Sequence, residues 1–425
     1  MLNEPQQAAK TDVAIIGGGI QGAGIAQACA AAGYRCTLIE KSHLAAGTSS
    51  QSSKLIHGGL RYLESYQFGL VRHNLLERER LLRLAPDLIQ RREFLIPLYP
   101  HSQRRPWQLY LGLALYRLLA GENPLKSGYT LPKHEWSQLR GINLNDLSHV
   151  FRYDDAQTDD RLLTQAVMYS AESLGAQLLC PVMVKQLTRV KDGYHLQLGG
   201  AHNCANPSEL SARVVINATG PWVNQLLERV STEYSGDSNE EGKTSDISVE
   251  SLPIDLVQGS HLLLDNQLGE RAFYLEAPCD RRAVFVIPWQ GKTLLGTTEL
   301  LHTGPVNEAA MTKDERNYLL RTLRHYFPDL RPNIVGSFCG LRVLPKGKGP
   351  AFARAREIQL HSAPEHPRLL SVYGGKLTGY RDNAQRVTQW VETQLGARES
   401  LADTAQLPLV LPAGALPARA SVSSL

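Results

Sequence analysis

Cysteine is scarce in this sequence, and its few copies form no recognisable pattern. The 425 residues include six cysteines. They are scattered, with no C-x-x-C pair, at Cys29, Cys36, Cys180, Cys204, Cys279 and Cys339. Zinc sites and the disulfide frameworks of secreted domains use paired or closely spaced cysteines. The sequence therefore predicts no metal site and a protein of a reducing compartment.

Long apolar runs and an excess of one charge are missing as well. No run of about 18 apolar residues occurs, so no transmembrane helix is predicted, and the polar residues 1–10 do not resemble a signal peptide. With 45 basic and 41 acidic residues, the net charge is +4, which argues against a nucleic-acid partner held by bulk charge. Hydrophobic residues at 43% and charged residues at 20% are typical of a globular protein, here of two or three domains.

The first forty residues contain the pattern of a strand, a tight turn, a helix and a second strand. A short apolar run at 12–16 precedes three consecutive glycines, and an alanine-rich stretch at 20–32 precedes another apolar run at 35–39. Strand and helix periodicities in this order predict a βαβ unit.

The glycines of this turn have the spacing of a dinucleotide-binding site. Gly17, Gly19 and Gly22 satisfy G-x-G-x-x-G, in which the glycines allow a tight turn, a close approach to a pyrophosphate and tight helix packing. The following helix N-terminus attracts phosphate. Glu40, about 20 residues further on, can accept ribose hydroxyls and disfavours a 2′-phosphorylated cofactor. A glycine-rich turn in another α/β fold is the alternative, and the glycines do not identify which dinucleotide binds.

A second loop is rich in hydroxyl groups. Residues 48–53 read TSSQSS and run into Lys54, His57 and two further glycines. A loop of small polar residues can surround a pyrophosphate and let a flat ring lie against the backbone. A solvated serine-rich loop is the alternative, but it does not explain the sequence that follows.

Taken together, the motifs resemble the FAD-dependent glycerol-3-phosphate dehydrogenases, within the D-amino-acid-oxidase-like flavoprotein superfamily. The matching stretches are GGGIQGAGIA (17–26), TSSQSSKLIHGGLRYLE (48–64), INATGPWV (216–223), QGSHLLL (258–264), VFVIPW (284–289), GTTE (296–299), GLRVLP (340–345) and LLSVYGGKLTGYR (369–381). The resemblance implies an α/β (α+β) fold, in which a Rossmann-like FAD-binding domain is interleaved with an antiparallel-sheet substrate domain.

The resemblance and the composition together divide the chain. The FAD-binding domain is expected at 11–70, 150–225 and 336–395, the substrate, cap and membrane-facing domain at 71–149 and 252–335, a flexible loop at 231–250 and a mobile tail at 402–425. Most family members continue into a helical domain of roughly a hundred residues, the size of a typical domain. The resemblance predicts that this domain is absent here, which leaves the oligomeric state open, with a homodimer as one possibility.

The resemblance also implies which residues contact FAD. They are Gly17, Gly19, Ile20, Gln21, Gly22, Glu40, Thr48, Ser49, Ser52, Ser53, Lys54, His57, Gly58, Val184, Ala218, Gly220, Gly375, Lys376, Leu377 and Thr378. Of these, residues 375–378 would cap the pyrimidine end of the flavin, where a helix N-terminus favours the anionic reduced ring.

The implied substrate is glycerol 3-phosphate, which requires a hydride acceptor, a base and a phosphate clamp. FAD supplies the hydride acceptor. His261 is the candidate base, because the pKa of imidazole lies near working pH, and Arg342 is the candidate to stabilise negative charge on the carbinol oxygen. A structural role for a lone strand histidine is the alternative, and the resemblance does not show which group takes the proton.

The phosphate of this substrate needs positive charge and hydrogen-bond donors. Arg61, Lys376 and Arg381 are the candidate cations, and Tyr62 and Thr378 are the candidate hydroxyls. For each cation alone, a solvated surface position is the alternative.

The stretch WQLYLGLALYRLLA at 107–120 is apolar on nearly every face and too short to span a bilayer. A buried core helix and a helix lying in the headgroup region explain it equally well. Since family members pass electrons to membrane quinone, the resemblance implies peripheral attachment to an anionic membrane at its cytoplasmic face. An oxygen-reducing oxidase and a non-catalytic flavin-binding protein are the competing functions.

Overall fold

The fold is built around two β-sheets that alternate along the chain. The computed structural model describes residues 9–121, 129–200, 207–233, 244–245, 249–347 and 357–412. The α-helices are α1 (Ile20–Ala31), α2 (Phe68–Leu84), α3 (Pro106–Leu119), α4 (Asp160–Ser173), α5 (Val223–Leu227), α6 (Lys313–Tyr326) and α7 (Tyr380–Leu395). The strands are β1 (Ala9–Ile16), β2 (Cys36–Ile39), β3 (Leu55–Ile56), β4 (Ile89–Leu98), β5 (His149–Thr158), β6 (Gln177–Leu179), β7 (Val182–Val190), β8 (Gly193–Gly200), β9 (Glu209–Asn217), β10 (Val230–Glu233), β11 (Thr244–Ser245), β12 (Ile254–Leu264), β13 (Ala272–Glu276), β14 (Ala283–Trp289), β15 (Lys292–Gly296), β16 (Leu300–His302), β17 (Ile334–Pro345), β18 (Gln359–His361) and β19 (Leu369–Tyr373).

The first sheet has a parallel centre in the order β6, β2, β1, β9 and β19. On one face it packs against α1, α4 and α7. The antiparallel strands β7 and β8 extend from β9, and β10 and β11 follow beside β7. Parallel strands buried on both faces have continuous apolar sequences, as the buried stretch Val13–Ile16 shows. The βαβ unit predicted from residues 12–39 is therefore confirmed by β1, α1 and β2.

Helix α1 is almost wholly buried, and its composition explains how. Of its residues only Gln21 is partly exposed, and most of the others are alanine or glycine. At Gly24, an added Cβ would lie 2.6 Å from the ring of Tyr380 in α7. The small side chains therefore let α1 fit closely between the sheet and α7, with its N-terminus at the end of β1.

The second sheet is mainly antiparallel. Its order is β17, β12, β15, β14, β13, β4, β5 and β3, with β16 beside the first part of β12. The exception to antiparallel pairing is β13 with β4. Helix α6 packs on one apolar cluster of this sheet, and α2 and α3 cover another. The predicted fold class, a Rossmann-like sheet with an interleaved antiparallel sheet, is confirmed.

The sheets divide the chain differently from the expected domain boundaries. Strand β5 pairs with β3 and β4, and β17 pairs along its length with β12, so all of these strands belong to the second sheet. Residues 55–56, 150–158 and 336–345, which were expected in the FAD-binding domain, thus form strands of the second sheet. The reason is long-range pairing: β17 finds its partner about eighty residues earlier in the chain, which no local pattern reveals.

Two further expectations are corrected in part. Within the expected flexible loop 231–250, β10 and β11 pair with each other, whereas 234–243 and 246–248 lie outside the described residues. Within the expected mobile tail, residues 402–412 pack against the ends of α1 and α2. The N–H of Ala402 donates to the carbonyl of Ala31, and the N–H of Leu409 donates to the carbonyl of Leu84. Leu409 is buried. Residues 413–425 lie outside the described residues.

Candidate active site

A large cavity lies between the two sheets. Its volume is about 950 Å³, and its lining includes the residues at the carboxyl ends of β1, β2, β9 and β19 together with residues of the second sheet. Ligands of parallel α/β sheets bind at this edge of the sheet. The fold therefore brings the glycine turn and the second sheet to one site.

The glycine turn has no space for side chains. Gly17 has a φ of +111°, and an added Cβ would lie 2.6 Å from the carbonyl oxygen of Ala218. A Cβ on Gly22 would lie 1.9 Å from the carbonyl oxygen of Gly17. The N–H of Ile20, in the first turn of α1, donates to Ser49 Oγ at 2.9 Å. This backbone approach at a helix N-terminus fits a bound pyrophosphate.

Glu40 lies at the end of β2 and lines the cavity. Its Oε2 accepts a hydrogen bond from the N–H of Gly18 at 2.7 Å, and its Oε1 accepts one from the N–H of Ser42 at 2.9 Å. The hydroxyl of Ser42 also donates to Oε1, at 3.2 Å. Because each carboxylate oxygen has two lone pairs, Oε2 can accept a further hydrogen bond. The carboxylate is therefore held in place and still able to accept a ribose hydroxyl.

The hydroxyl-rich loop lines the cavity, but its lysine does not. Thr48, Ser49, Ser52 and Ser53 line the cavity. Lys54 is buried behind them, and its Nζ lies 2.6 Å from Asp160. The predicted cofactor contact by the Lys54 side chain is therefore not what the structure shows, because this ammonium neutralises a buried carboxylate.

Gly58 is also placed behind the cavity surface, between its lining neighbours His57 and Gly59. Its N–H donates to the hydroxyl of Tyr116 in α3 at 2.9 Å. A Cβ at Gly58 would lie 2.6 Å from that hydroxyl oxygen. The absence of a side chain at Gly58 lets the loop pack on α3. Gly58 thus has a packing role and does not line the cavity predicted to hold the cofactor.

Several remaining positions expected to contact FAD line the same cavity. They are Val184, Ala218, Gly220, Gly375, Lys376, Leu377 and Thr378. Gln21 Nε2 donates to the carbonyl of Lys376 at 3.3 Å, and Thr378 Oγ1 accepts from the N–H of His57 at 3.1 Å. These bonds tie the expected flavin-capping segment to α1 and to the hydroxyl-rich loop, directly before α7 begins.

Two of the expected phosphate-binding cations are arranged around one ring. Lys376 Nζ lies 3.9 Å from the ring centroid of Tyr62, and Arg61 Cζ lies 5.5 Å from it. All three residues line the cavity. Cations are attracted to the face of an aromatic ring, so Tyr62 brings the two positive charges together.

Arg342 and Arg61 share a carboxylate that the sequence analysis did not single out. Glu299 Oε1 lies 3.6 Å from Arg342 Nη1 and 3.9 Å from Arg61 Nη2. Arg342 Nη2 also donates to Thr297 Oγ1 at 3.1 Å. Glu299 is the last residue of the GTTE stretch that supported the family resemblance. Its charge and its place in that motif could have identified it as a site residue from the sequence.

His261 is placed behind the cavity surface rather than on it. It lies in β12 with 1% of its surface exposed, and its Nε2 lies 2.9 Å from Ser53 Oγ. Its Nδ1 has no hydrogen-bond partner among the described residues. Burial, followed by Arg342 and Lys54, lowers the pKa of His261 well below its ordinary value. The imidazole is therefore neutral near pH 7 and reaches the cavity through Ser53.

Arg381 is not brought to the site. Its guanidinium is buried and forms two hydrogen bonds with the Glu77 carboxylate, at 2.7 and 2.8 Å. It also donates to Thr404. The prediction that Arg381 contacts the substrate is therefore corrected. Its guanidinium group instead holds α7 against α2 through Glu77.

Helix α3, which contains most of the apolar stretch 107–120, has one buried face and one exposed face. Leu109, Leu113 and Tyr116 are buried, whereas Trp107 is 61% and Leu118 is 76% exposed. The helix is thus neither wholly buried nor wholly exposed. Within the part of the chain that the structure describes, none of the helices combines the length and apolar character needed to cross a bilayer.

The comparisons with known proteins identify the family of the chain. Residues 12–381 match the family model described as FAD dependent oxidoreductase (DAO). The chain belongs to this family. A glycerol-3-phosphate dehydrogenase of Synechocystis sp. is 35% identical over 412 residues, covering 93% of this chain and 72% of that protein. A D-erythritol 1-phosphate dehydrogenase of Brucella abortus is 35% identical over 381 residues, covering 88% and 72%.

Among solved structures, the glycerol-3-phosphate dehydrogenase of Bacillus halodurans complexed with FAD is similar in fold. Its TM-score is 0.71 at 26% identity, and the match covers 94% of this chain and 68% of that one. The family resemblance and the FAD cofactor are confirmed. The chain is an FAD-dependent oxidoreductase related to dehydrogenases named for glycerol 3-phosphate and erythritol phosphate.

Proposed function

We propose that the chain oxidises sn-glycerol 3-phosphate to dihydroxyacetone phosphate. The observation that carries this proposal is the connection of three cations at one end of the cavity. Lys376 and Arg61 contact Tyr62, and Arg61 and Arg342 flank Glu299. Guanidinium and ammonium groups in a cleft are the usual ligands of a phosphate dianion. Residues 375–378, expected to cap the flavin, supply one of the three.

The alcohol oxidation needs a hydride acceptor and a proton acceptor. When bound, FAD supplies the hydride acceptor. The substrate hydroxyl transfers its proton to Ser53 Oγ as Ser53 transfers its own to Nε2 of His261, which the 2.9 Å contact supports. Arg342 stabilises negative charge on the carbinol oxygen. His261 thus acts through Ser53, and Ser53 is the group that touches the substrate.

Anaerobic reduction of the bound flavin tests cofactor, substrate and reaction together. Purified protein should lose its yellow absorbance when glycerol 3-phosphate is added without oxygen. D-erythritol 1-phosphate, added in parallel, tests whether a longer polyol phosphate is preferred. Flavin that stays oxidised with both compounds would favour a flavin-binding protein without turnover.

The electron acceptor in this proposal is a membrane quinone. A smaller cavity of about 330 Å³ lies beneath α3, and its lining shares Leu60, Arg61 and Tyr274 with the main cavity. Its lining is partly apolar and includes Gly112 of α3, where an added Cβ meets no atom within 4 Å. It thus offers an apolar ring a position beside the substrate end of the site.

Filling this cavity separates quinone transfer from substrate oxidation. Gly112→Leu should lower the rate of quinone reduction and leave anaerobic flavin reduction unchanged. Gly69→Leu is the matched control, because a Cβ on this glycine of α2 also meets nothing within 4 Å. A high peroxide yield with little quinone reduction in the unmodified protein would instead identify an oxidase.

We also propose that α3 attaches the protein peripherally to an anionic membrane at its cytoplasmic face. The support is the exposed apolar face of α3, with Arg105 at its start and Arg117 in its last turn. Aromatic and basic side chains on one helix are typical of interfacial binding. The double variant Trp107→Ser/Leu118→Ser should float less with anionic liposomes than the unmodified protein. Leu401→Ser, at another exposed leucine, is the control.

A further inference from the structure

The side chains at the substrate end of the cavity have a net formal charge of +2. Arg61, Arg342 and Lys376 contribute three positive charges, and Glu299 contributes one negative charge. Arg282 also lines the cavity, but Asp280 neutralises it at 2.6 Å. The net charge of two matches one phosphate dianion. A substrate that carried a second anionic group would leave one negative charge uncompensated.

The Glu299 carboxylate is held in this position by its chain neighbours. Thr298 Oγ1 donates to the Glu315 carboxylate at 2.6 Å and accepts from the N–H of Ser260 at 2.9 Å. The carbonyl of Glu299 accepts from Arg282 Nη1 at 3.1 Å. Since hydrogen bonds hold the chain on both sides of this residue, its carboxylate extends from a fixed backbone position toward Arg61 and Arg342.

Resting on the proposed function, we propose that Glu299 determines substrate specificity. It selects phosphate esters whose remaining groups are hydroxyls and rejects esters that carry a carboxylate. A carboxylate accepts hydrogen bonds from hydroxyl groups but repels a second anion, and a half-buried site screens this repulsion less than water does. Specificity of this kind arises from an unfavourable contact with the wrong ligand. Glycerol 3-phosphate satisfies the charge count, whereas 3-phosphoglycerate exceeds it.

The test compares the affinities of the FAD-loaded protein for glycerol 3-phosphate and 3-phosphoglycerate, measured anaerobically by calorimetry after the flavin has been reduced with dithionite. The unmodified protein should bind glycerol 3-phosphate more tightly. In Glu299→Gln the ratio of the two affinities should fall roughly 10- to 100-fold, as expected from a removed charge repulsion at a partly screened site. Glu299→Asp, which keeps the charge, should retain most of the discrimination.

The ratio is informative because general damage to the site weakens both ligands alike. Glu308→Gln is the matched control: Glu308 is exposed and lies outside the cavity lining, so the ratio should not change. An unchanged ratio in Glu299→Gln, or equal affinities in the unmodified protein, would overturn the role of Glu299. If the FAD-loaded protein bound neither compound, the proposed function itself would fail.

Discussion

Ser53 Oγ lies 2.9 Å from Nε2 of His261, and this contact links a buried imidazole to the cavity. Ser53 lines the cavity, whereas His261 is 1% exposed and lies behind it. In the proposed reaction, His261 therefore acts through the hydroxyl group of Ser53. This arrangement makes Ser53 as important for proton transfer as the histidine.

Removal of the Ser53 hydroxyl should lower kcat with little change in KM. Ser53→Ala takes away the group that connects the substrate hydroxyl to His261, and a lost general-base step typically costs roughly 10²- to 10⁴-fold. The measurement is steady-state turnover with an artificial acceptor, at full FAD occupancy. Ser50→Ala is the control, because among the described residues the Ser50 hydroxyl bonds only to the carbonyl of Gly47, and Ser50 does not line the cavity. A kcat equal to that of the unmodified protein would exclude the route through Ser53.

The pH dependence of turnover should reflect the lowered pKa of His261. In the proposed reaction the neutral imidazole is the proton acceptor, and burial with Arg342 and Lys54 keeps it neutral below the ordinary pKa of about 6.5. Activity should therefore persist below pH 6.5 and fall only as the pH passes the lowered value. The measurement is kcat/KM, corrected for ionisation of the substrate phosphate near pH 6. An acid limb above pH 6.5 would contradict a buried neutral acceptor.

Arg61 and Arg381 offer a contrast between a cavity cation and a buried one. Arg61→Ala should raise KM roughly 30- to 150-fold, since a lost charge-assisted contact costs about 2–3 kcal/mol, with FAD still bound. Arg381→Met should leave KM unchanged but lower the free energy of unfolding by about 1–3 kcal/mol, because the buried Glu77 carboxylate loses two hydrogen bonds and keeps only its ion pair with Arg80 among the described residues. Kinetics and denaturant unfolding of both variants check this. A KM effect in Arg381→Met would restore it to the site.

The positions of Arg61 and Arg381 in the structure show how much of the site can be predicted from the sequence. Local patterns predict backbone features well: the turn that begins at Gly17 and the acid at Glu40 depend on spacing within one βαβ unit, and the structure brings both to one cavity. Patterns do not reveal where a side chain points when its partner is distant. Lys54 pairs with Asp160, which is 106 residues away in the sequence, and Arg381 pairs with Glu77, which is 304 residues away. Both ion pairs depend on packing that no local motif records.

The glycine turn should not tolerate a methyl group at Gly22. Gly22→Ala would place a Cβ 1.9 Å from the carbonyl oxygen of Gly17, so the turn must open and the backbone can no longer approach the pyrophosphate. We expect protein purified without FAD, measured by its visible absorbance. Gly69→Ala is the control, because its Cβ meets nothing within 4 Å; an alanine in a helix should stabilise slightly. Normal FAD content in Gly22→Ala would contradict the close contact.

Tyr116 connects α3 to the flavin loop, and its removal should have a pH-dependent cost. The hydroxyl accepts from the N–H of Gly58 at 2.9 Å and donates to the Asp155 carboxylate at 3.0 Å. Tyr116→Phe leaves a buried N–H unsatisfied and should lower the free energy of unfolding by about 1–3 kcal/mol. The exposed Tyr110→Phe in the same helix should change it by less than about 0.5 kcal/mol.

The pH dependence arises from Asp155. Burial raises the pKa of Asp155 to about 6, although Arg78 and the Tyr116 hydroxyl oppose the shift. A carboxyl group with a raised pKa favours folding at low pH and loses this contribution as the pH rises through the folded value. Without the Tyr116 hydroxyl, the charged form has one donor fewer, so its pKa rises further. Tyr116→Phe should therefore cost more stability at pH 8 than at pH 5, measured by urea unfolding. An equal cost at both values would show that the Gly58 contact alone accounts for the loss.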